Sequence, residues 1–174
     1  MALAVCLLLD DPSDAAVRRL WRRLESDGVP SLLTHTHGRH VPHLSYASVL
    51  RCDPGAVIEA LSDLPPASPL PLHFDGLGFF RRSRCWLAPA VTPELVGRQQ
   101  SVRAALLASG AEIHRSYIAG TWIPHLTLAP RLHLDDLSRV ARAVYDVLPL
   151  SATATRTALI DTGTGERHEL PHMV

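Results

Sequence analysis

The sequence predicts an α+β protein made of two similar halves, each ordered strand, helix, strand, helix, strand, around a central cleft. Three observations carry this reading. Helix-like stretches open at capping residues beside proline, and apolar strand-like runs alternate with them. The middle strand of each half carries one matching phrase, Val41-Pro42-His43-Leu44-Ser45-Tyr46 in the first and Ile123-Pro124-His125-Leu126-Thr127-Leu128 in the second.

The elements follow in order. The run Ala2–Leu9 is apolar and stops at Asp10-Asp11. It is too short to span a bilayer, and no basic residues precede it, so it reads as a buried strand. Asp11-Pro12 opens a helix to about Asp27, with Val17, Leu20, Trp21 and Leu24 on one face. Val41–Val49 is the second strand. Asp53-Pro54 opens a second helix, and Leu70–Phe80 closes the first half as a strand. After a junction near Arg81-Arg82-Ser83 the order repeats. Arg84–Ala90 is a strand, Thr92-Pro93 opens a helix that Gly110 ends, and Trp122–Ala129 is a strand. A fourth helix runs from about Leu134 to Leu148, and Ala152–Asp161 is the last strand. A capping side chain just before proline at the first helical position satisfies amides the helix itself leaves open. The segments 35–40 and 65–71 read as loops. The expectation is one bilobal domain over 1–174, with halves near 1–81 and 82–174.

Composition narrows the function. The chain has 174 residues, 47% of them hydrophobic, which suffices for a packed core. Seventeen basic side chains, all Arg, balance seventeen acidic ones. Such neutrality argues against gripping a long duplex, which relies on neutralising many phosphates. It leaves room for one phosphate group held locally. Cys6, Cys52 and Cys85 form no paired spacing, so a reducing, cytoplasmic setting is expected, with no membrane association.

The two phrases carry the chemistry. Successive strand side chains point to opposite faces, so His43 shares a face with Ser45 and His125 with Thr127. Leu44, Tyr46, Leu126 and Leu128 point the other way, toward the helices. Proline sits at strand starts and edges, which puts each His at a strand entrance. Two such strands across a cleft surround one space with two imidazoles and two hydroxyls. An imidazole titrates near neutrality, so one can take a proton from water while the other gives one to a leaving oxygen. Hydroxyls can donate to phosphate oxygens, and no metal or other cofactor is required. A single His-x-Ser on a strand is ordinarily accidental; a pair, each central in its half, is not.

With those motifs in view, the sequence resembles the 2H phosphoesterase superfamily, and within it the 2′-5′ RNA ligase and cyclic phosphodiesterase-like branch. The matches are His43-Leu44-Ser45-Tyr46 and His125-Leu126-Thr127-Leu128, together with the connecting stretch Gly78 to Leu87. The resemblance implies a duplicated α+β fold, His43 and His125 as acid and base, and Ser45 and Thr127 as phosphate donors. It implies a substrate bearing a 2′,3′-cyclic phosphate, on an RNA end or a nucleotide, opened to a 2′-phosphate. Joining of 2′,5′ ends is the reverse direction. By the same analogy His125 activates water and His43 protonates the leaving 3′ oxygen. This chain departs from the common pattern in having Ser45 and Tyr46 in the first motif, and in placing Arg131 after Pro130.

Other residues have two readings each. His35, His37 and His40 form either a solvated loop or a cleft rim that helps hold a nucleotide, with His37 and His40 the candidates. A metal site there is the weaker option, since no acidic ligand stands nearby. Of Phe79, Phe80 and Trp86, two should be core, and Phe80 can stack a base beside Arg81. Arg81, Arg82 and Arg84 read as a solvated turn from which one can reach a phosphate. Tyr117 and Trp122 flank the second motif, and Tyr117 and Arg131 are further candidates for substrate contact. His73, His114, His133, His168 and His172 read as surface residues. A non-catalytic nucleotide- or RNA-end-binding module of the same fold is the alternative to an enzyme, and a monomer is expected.

Overall fold

The computed structural model describes residues 3–81 and 84–174. Ala2, assigned to the first strand, and Arg82 and Ser83 at the junction lie outside the described residues. The elements are β1 Leu3–Leu9, α1 Asp11–Ser26, β2 His43–Arg51, α2 Pro54–Ser62, β3 Leu70–Phe80, β4 Arg84–Pro89, α3 Pro93–Ala108, β5 Glu112–Ile113, β6 Leu126–Ala129, α4 Leu137–Tyr145, β7 Leu150–Asp161 and β8 Arg167–Glu169. Short 3-10 turns at Arg115–Tyr117 and Leu134–Asp136 precede β6 and α4. The helices and long strands come in the expected order, with β5 and β8 added and with two differences at the motif strands. The ordered strand starts at His43 rather than Val41, and at Leu126 rather than Trp122, because Pro42 and Pro124 cannot donate to a ladder.

Helix starts follow local chemistry. Asp10, not Asp11, caps α1, its carboxylate accepting from the Ser13 amide at 2.9 Å. Asp53 caps α2 through the Gly55 amide, and Thr92 caps α3 through the Leu95 amide. Gly110, at φ +77°, takes the left-handed turn that follows α3.

All the strands pair antiparallel in one sheet, in the order β5-β2-β1-β7-β3-β4-β6, with β8 on β7. Between β2 and β6 this order is a palindrome of the duplication. β1 corresponds to β4, β2 to β6 and β3 to β7, so the third strand of each half lies beside the first strand of the other. β1 is buried on both faces. Its Leu3, Val5, Leu7 and Leu9 enter the main core under the helices, while Ala4, Cys6 and Leu8 join Ala158, Ile160 and Val41 on the opposite face. A strand covered on both sides reads as a continuous apolar run, which is what the sequence shows.

The motif strands present edges that no neighbouring strand covers at the motif itself. Side chains of other elements fill the gap. Trp21 of α1 donates its indole N–H to Thr127 O at 3.2 Å. Trp122 donates to Ser45 O at 3.1 Å, and Gln99 of α3 donates to Tyr46 O at 3.3 Å and Tyr117 O at 3.0 Å. Each half thus supplies a donor to the motif strand of the other half. Trp21 is fully buried. The variant Trp21→Phe keeps most of the ring and leaves the Thr127 carbonyl without its indole donor. It is expected to lower stability by ~1–3 kcal/mol, the cost of a buried polar group left unpaired. Urea denaturation measures it, and an unchanged midpoint would mean that the carbonyl finds another partner.

Candidate active site

His43 is the first residue of β2, and His125 immediately precedes β6. The two rings are held in the same way. His43 Nδ1 lies 2.7 Å from Val41 O, and His125 Nδ1 lies 2.8 Å from Ile123 O. A carbonyl only accepts, so Nδ1 carries the proton in both rings and Nε2 is the one open proton site on each. The acceptor is in each case the residue before the proline. Proline fixes its own φ and pushes its predecessor into an extended conformation. The tripeptide therefore aims the same carbonyl back at the same ring atom twice.

The two hydroxyls differ. Ser45 is buried, 3.5 Å from Cys6 Sγ, and the Tyr117 hydroxyl is near enough for Ser45 to act on it. Thr127 is half-buried, and its hydroxyl makes no hydrogen bond with the described residues. Burial pushes the Cys6 thiol up to about 12, so it stays protonated beside Ser45. Tyr117, itself half-buried, thus stands at the first motif and not at the second.

Around His125 the aromatic residues take specific places. The Phe80 ring meets the His125 ring edge-on, with centroids 4.8 Å apart, and Trp86 stacks obliquely on Phe80 at 5.0 Å. Trp86 crosses the backbone of β3 at Gly78, where an added Cβ would lie 2.3 Å from the indole. Phe79 is exposed, whereas Phe80 and Trp86 are half-buried. The expectation that two of these three belong to the core is corrected accordingly: Phe80 and Trp86 form a wall of the site instead. His172 is likewise not a free surface residue, because its Nε2 lies 2.8 Å from Leu64 O.

Of Arg81, Arg82 and Arg84, the turn from which one was expected to reach a phosphate, Arg84 lines the cleft. Its charge acts on His125, His35 and Tyr117 alike, and it lines the cleft with His43 and Thr127. Strand alternation was the available signal, since Arg84 and Trp86 fall on one face of β4 and Trp86 pairs with Thr127. Arg81 is exposed in the turn and makes no ion pair with the described residues. Arg131 is exposed beside His35, not between the two catalytic candidates.

The cleft holds about 250 Å³ and runs from His43, Thr127 and Arg84 to the 35–41 loop. Its floor is the small-residue face of β1 and β7, including Ala4, Cys6 and Ile160. His37 and His40 form its far wall, with ring centroids 4.2 Å apart. His37 Nδ1 accepts from the Arg39 amide at 3.0 Å, and His40 Nε2 lies 3.0 Å from Thr36 Oγ1. These ring nitrogens are engaged within the loop, and no group of three or more His, Cys, Asp or Glu suited to a metal ion occurs among the described residues.

The electrostatics favour neutral rings. Burial pushes His125 down to about 4, partly opposed by the bond to Ile123 O, and the His43 and Arg84 charges lower it further. Burial also lowers His43, against the bond to Val41 O. His40, half-buried, is pushed down to about 4 by its partial burial and by the charges of His37 and His35. His43, Thr127 and Arg84 line the cleft, and His125 lies near enough for the His43 and Arg84 charges to act on it; imidazole, hydroxyl and guanidinium together suit a phosphoryl group.

Proteins of known structure share this fold. A phosphoesterase crystal structure superposes with a TM-score of 0.62 at 16% identity, covering 98% of this chain and 94% of that one. Escherichia coli LigT, solved with 3′-AMP, superposes at 0.59 and 17% identity, over 97% of this chain and 93% of its own. Usb1 of Kluyveromyces marxianus superposes at 0.54 and 14% identity, over 98% and 97%. At such identities the likeness is one of fold, the two-histidine phosphoesterase fold. No curated protein matches the sequence. The family model of the 2′-5′ RNA ligase superfamily matches residues 9–166, and the chain belongs to that superfamily of phosphoesterases and RNA ligases. No described helix is long and apolar enough to cross a membrane.

The titration of His125 is a direct check on this site. Its ring is expected to titrate far below the usual ~6.5 of histidine, with the proton on Nδ1 in the neutral form. His43→Gln removes a like charge, so the His125 midpoint should rise in that variant. NMR of the ring resonances reads both. A His125 midpoint near the ordinary value in the wild type would show that burial does not govern it.

Proposed function

We propose that the protein is a metal-independent phosphodiesterase that opens the 2′,3′-cyclic phosphate of an RNA end or nucleotide, leaving a 2′-phosphate. The observation that carries the reading is the matched pair of imidazoles, each with Nδ1 occupied by a pre-proline carbonyl and Nε2 open. His125 is the base. Its neighbours His43 and Arg84 disfavour a proton on it. Its Nε2 takes a proton from water as the oxygen attacks phosphorus. The bond from phosphorus to the 3′ oxygen breaks, and His43, protonated at Nε2, gives that oxygen its proton. Thr127, Ser45 and Arg84 meet the charge on the non-bridging oxygens. With a 5′-hydroxyl in place of water, the same displacement makes a 2′–5′ linkage. The fold-level likeness to LigT, crystallised with 3′-AMP, agrees with a nucleotide in the cleft. Phe80 and Tyr117 stand next to the two motifs, where a base or ribose can meet them. The protein works as a monomer in the cytoplasm.

The wild type is expected to turn over a 2′,3′-cyclic nucleotide, and His43→Ala and His125→Ala should each reduce turnover by at least ~10²-fold, the scale of a lost general acid or base. The double variant should be little worse than either single, since the pair acts as a unit. Thr127→Val and Ser45→Val should each cost ~2–4 kcal/mol of transition-state stabilisation, the scale of one lost oxyanion donor. Tight nucleotide binding with no turnover in the wild type would favour a binding module instead.

Turnover should survive EDTA, and loss restored by one divalent ion would favour a metal-dependent route. The pH profile of kcat/KM should be a bell, because the working state holds one proton on the pair. Both folded pKa values are depressed, so that proton is lost at lower pH than from a free imidazole. The maximum should therefore lie on the acid side of ~6.5.

A further inference from the structure

A second, more open hollow of about 450 Å³ adjoins the cleft. It is lined by Arg18, Arg39, Arg167 and Glu166, among others. Arg39, His40, Val41, Gly165 and Arg167 border both spaces, so the two meet along a rim that carries two guanidiniums. Neither Arg39 nor Arg167 has a carboxylate partner among the described residues, whereas Arg18 is paired with Asp14. The rim is built and not a loose surface. Gly165, at φ +74° in the β7–β8 turn, lies so close to the 35–41 loop that a Cβ would stand 2.6 Å from His37 Cε1. Asp161 Oδ1 fixes that turn by accepting from the Gly163 and Thr164 amides at 2.7 and 3.1 Å. On the other side, Thr36 adopts a positive φ of 48° to bond His40.

This arrangement has a direction. In the reaction proposed above, a cyclic phosphate beside His43 and Thr127 has the apolar floor of Ala4, Cys6 and Ile160 next to it, open to the rest of its nucleotide, and the ribose 5′ oxygen is where the rest of an RNA strand is attached. The basic rim is the exit from that floor. We infer that Arg39 and Arg167 form a subsite for the phosphate on the 5′ side of the nucleotide being opened, so that the cleft takes RNA ends in preference to free cyclic nucleosides. The inference rests on the reading of the reaction given above. Guanidiniums suit it because they fork onto phosphate oxygens. Glu166 stands in the same hollow and opposes the anion, which tempers binding and leaves a diagnostic handle.

The test compares adenosine 2′,3′-cyclic phosphate bearing a 5′-hydroxyl with the same compound bearing a 5′-phosphate, and with a dinucleotide ending in the cyclic phosphate. The 5′-side phosphate should raise kcat/KM by about tenfold, equivalent to one charge-assisted contact. The advantage should shrink as salt rises. In the double variant Arg39→Gln/Arg167→Gln the ratio should fall to about one, and in Glu166→Gln it should exceed the wild-type ratio. In parallel, calorimetry compares adenosine 3′,5′-bisphosphate with adenosine 3′-monophosphate, which reads the subsite without any turnover. A preference for the bisphosphate that the double variant loses supports the subsite even if neither cyclic compound is cleaved, in which case the proposed reaction fails alone. Turnover with no 5′-phosphate effect, or a ratio that the double variant retains, overturns the subsite and leaves the reaction standing. An advantage confined to the monoester identifies a terminal 5′-phosphate as the ligand, and one shared by the dinucleotide identifies the internucleotide phosphate.

Discussion

The bond from each histidine Nδ1 to the carbonyl before the proline is the constraint on which the site depends. It fixes the tautomer and the ring orientation, and it leaves Nε2 as the open atom. Without it each ring would choose between two tautomers and several rotamers. Here the backbone makes that choice, through a proline that holds its predecessor extended. The strand begins only after this tripeptide, so the histidines sit where the sheet ends and the cleft opens. The hydroxyl two residues on then falls on the same face.

Burial of these rings has a cost in proton affinity. In the free protein both imidazoles are pushed toward the neutral form, which suits a base and hinders an acid. In the proposed reaction the anionic substrate would lower that obstacle, because a negative phosphate beside Nε2 favours the imidazolium. The protonated partner is thus best formed where the substrate is already bound. Arg84 pulls in the opposite direction at His125, and the two motifs, alike in backbone, become unlike in charge.

Much of this was legible in the sequence, and the gaps have physical causes. The helices announced themselves by Asp53, Thr92 and their prolines, and only the first cap moved, to Asp10. The motifs pointed to His43, His125, Ser45 and Thr127 as candidates, and the two rings are held alike because proline acts locally. β5 and β8 escaped because two- and three-residue strands have no period of their own. Which of Arg81, Arg82 and Arg84 would reach the cleft was not legible in the run itself, because it depends on the alternation along β4. The place of the His35–His40 loop depended on Gly165, about 130 positions away in the chain, and no local signal connects the two.

The exchange of third strands has a consequence for the origin of the architecture. A half chain that kept only its own three strands would leave its first strand without the neighbour that β7 gives β1 and β3 gives β4. It could complete its sheet only with a second copy, each lending its last strand to the other. The palindromic strand order is the one that two strand-swapped copies of such a half would form. Within one polypeptide the two halves need not match, and here the second histidine has an arginine and an aromatic wall near it, while the first motif's serine faces a thiol.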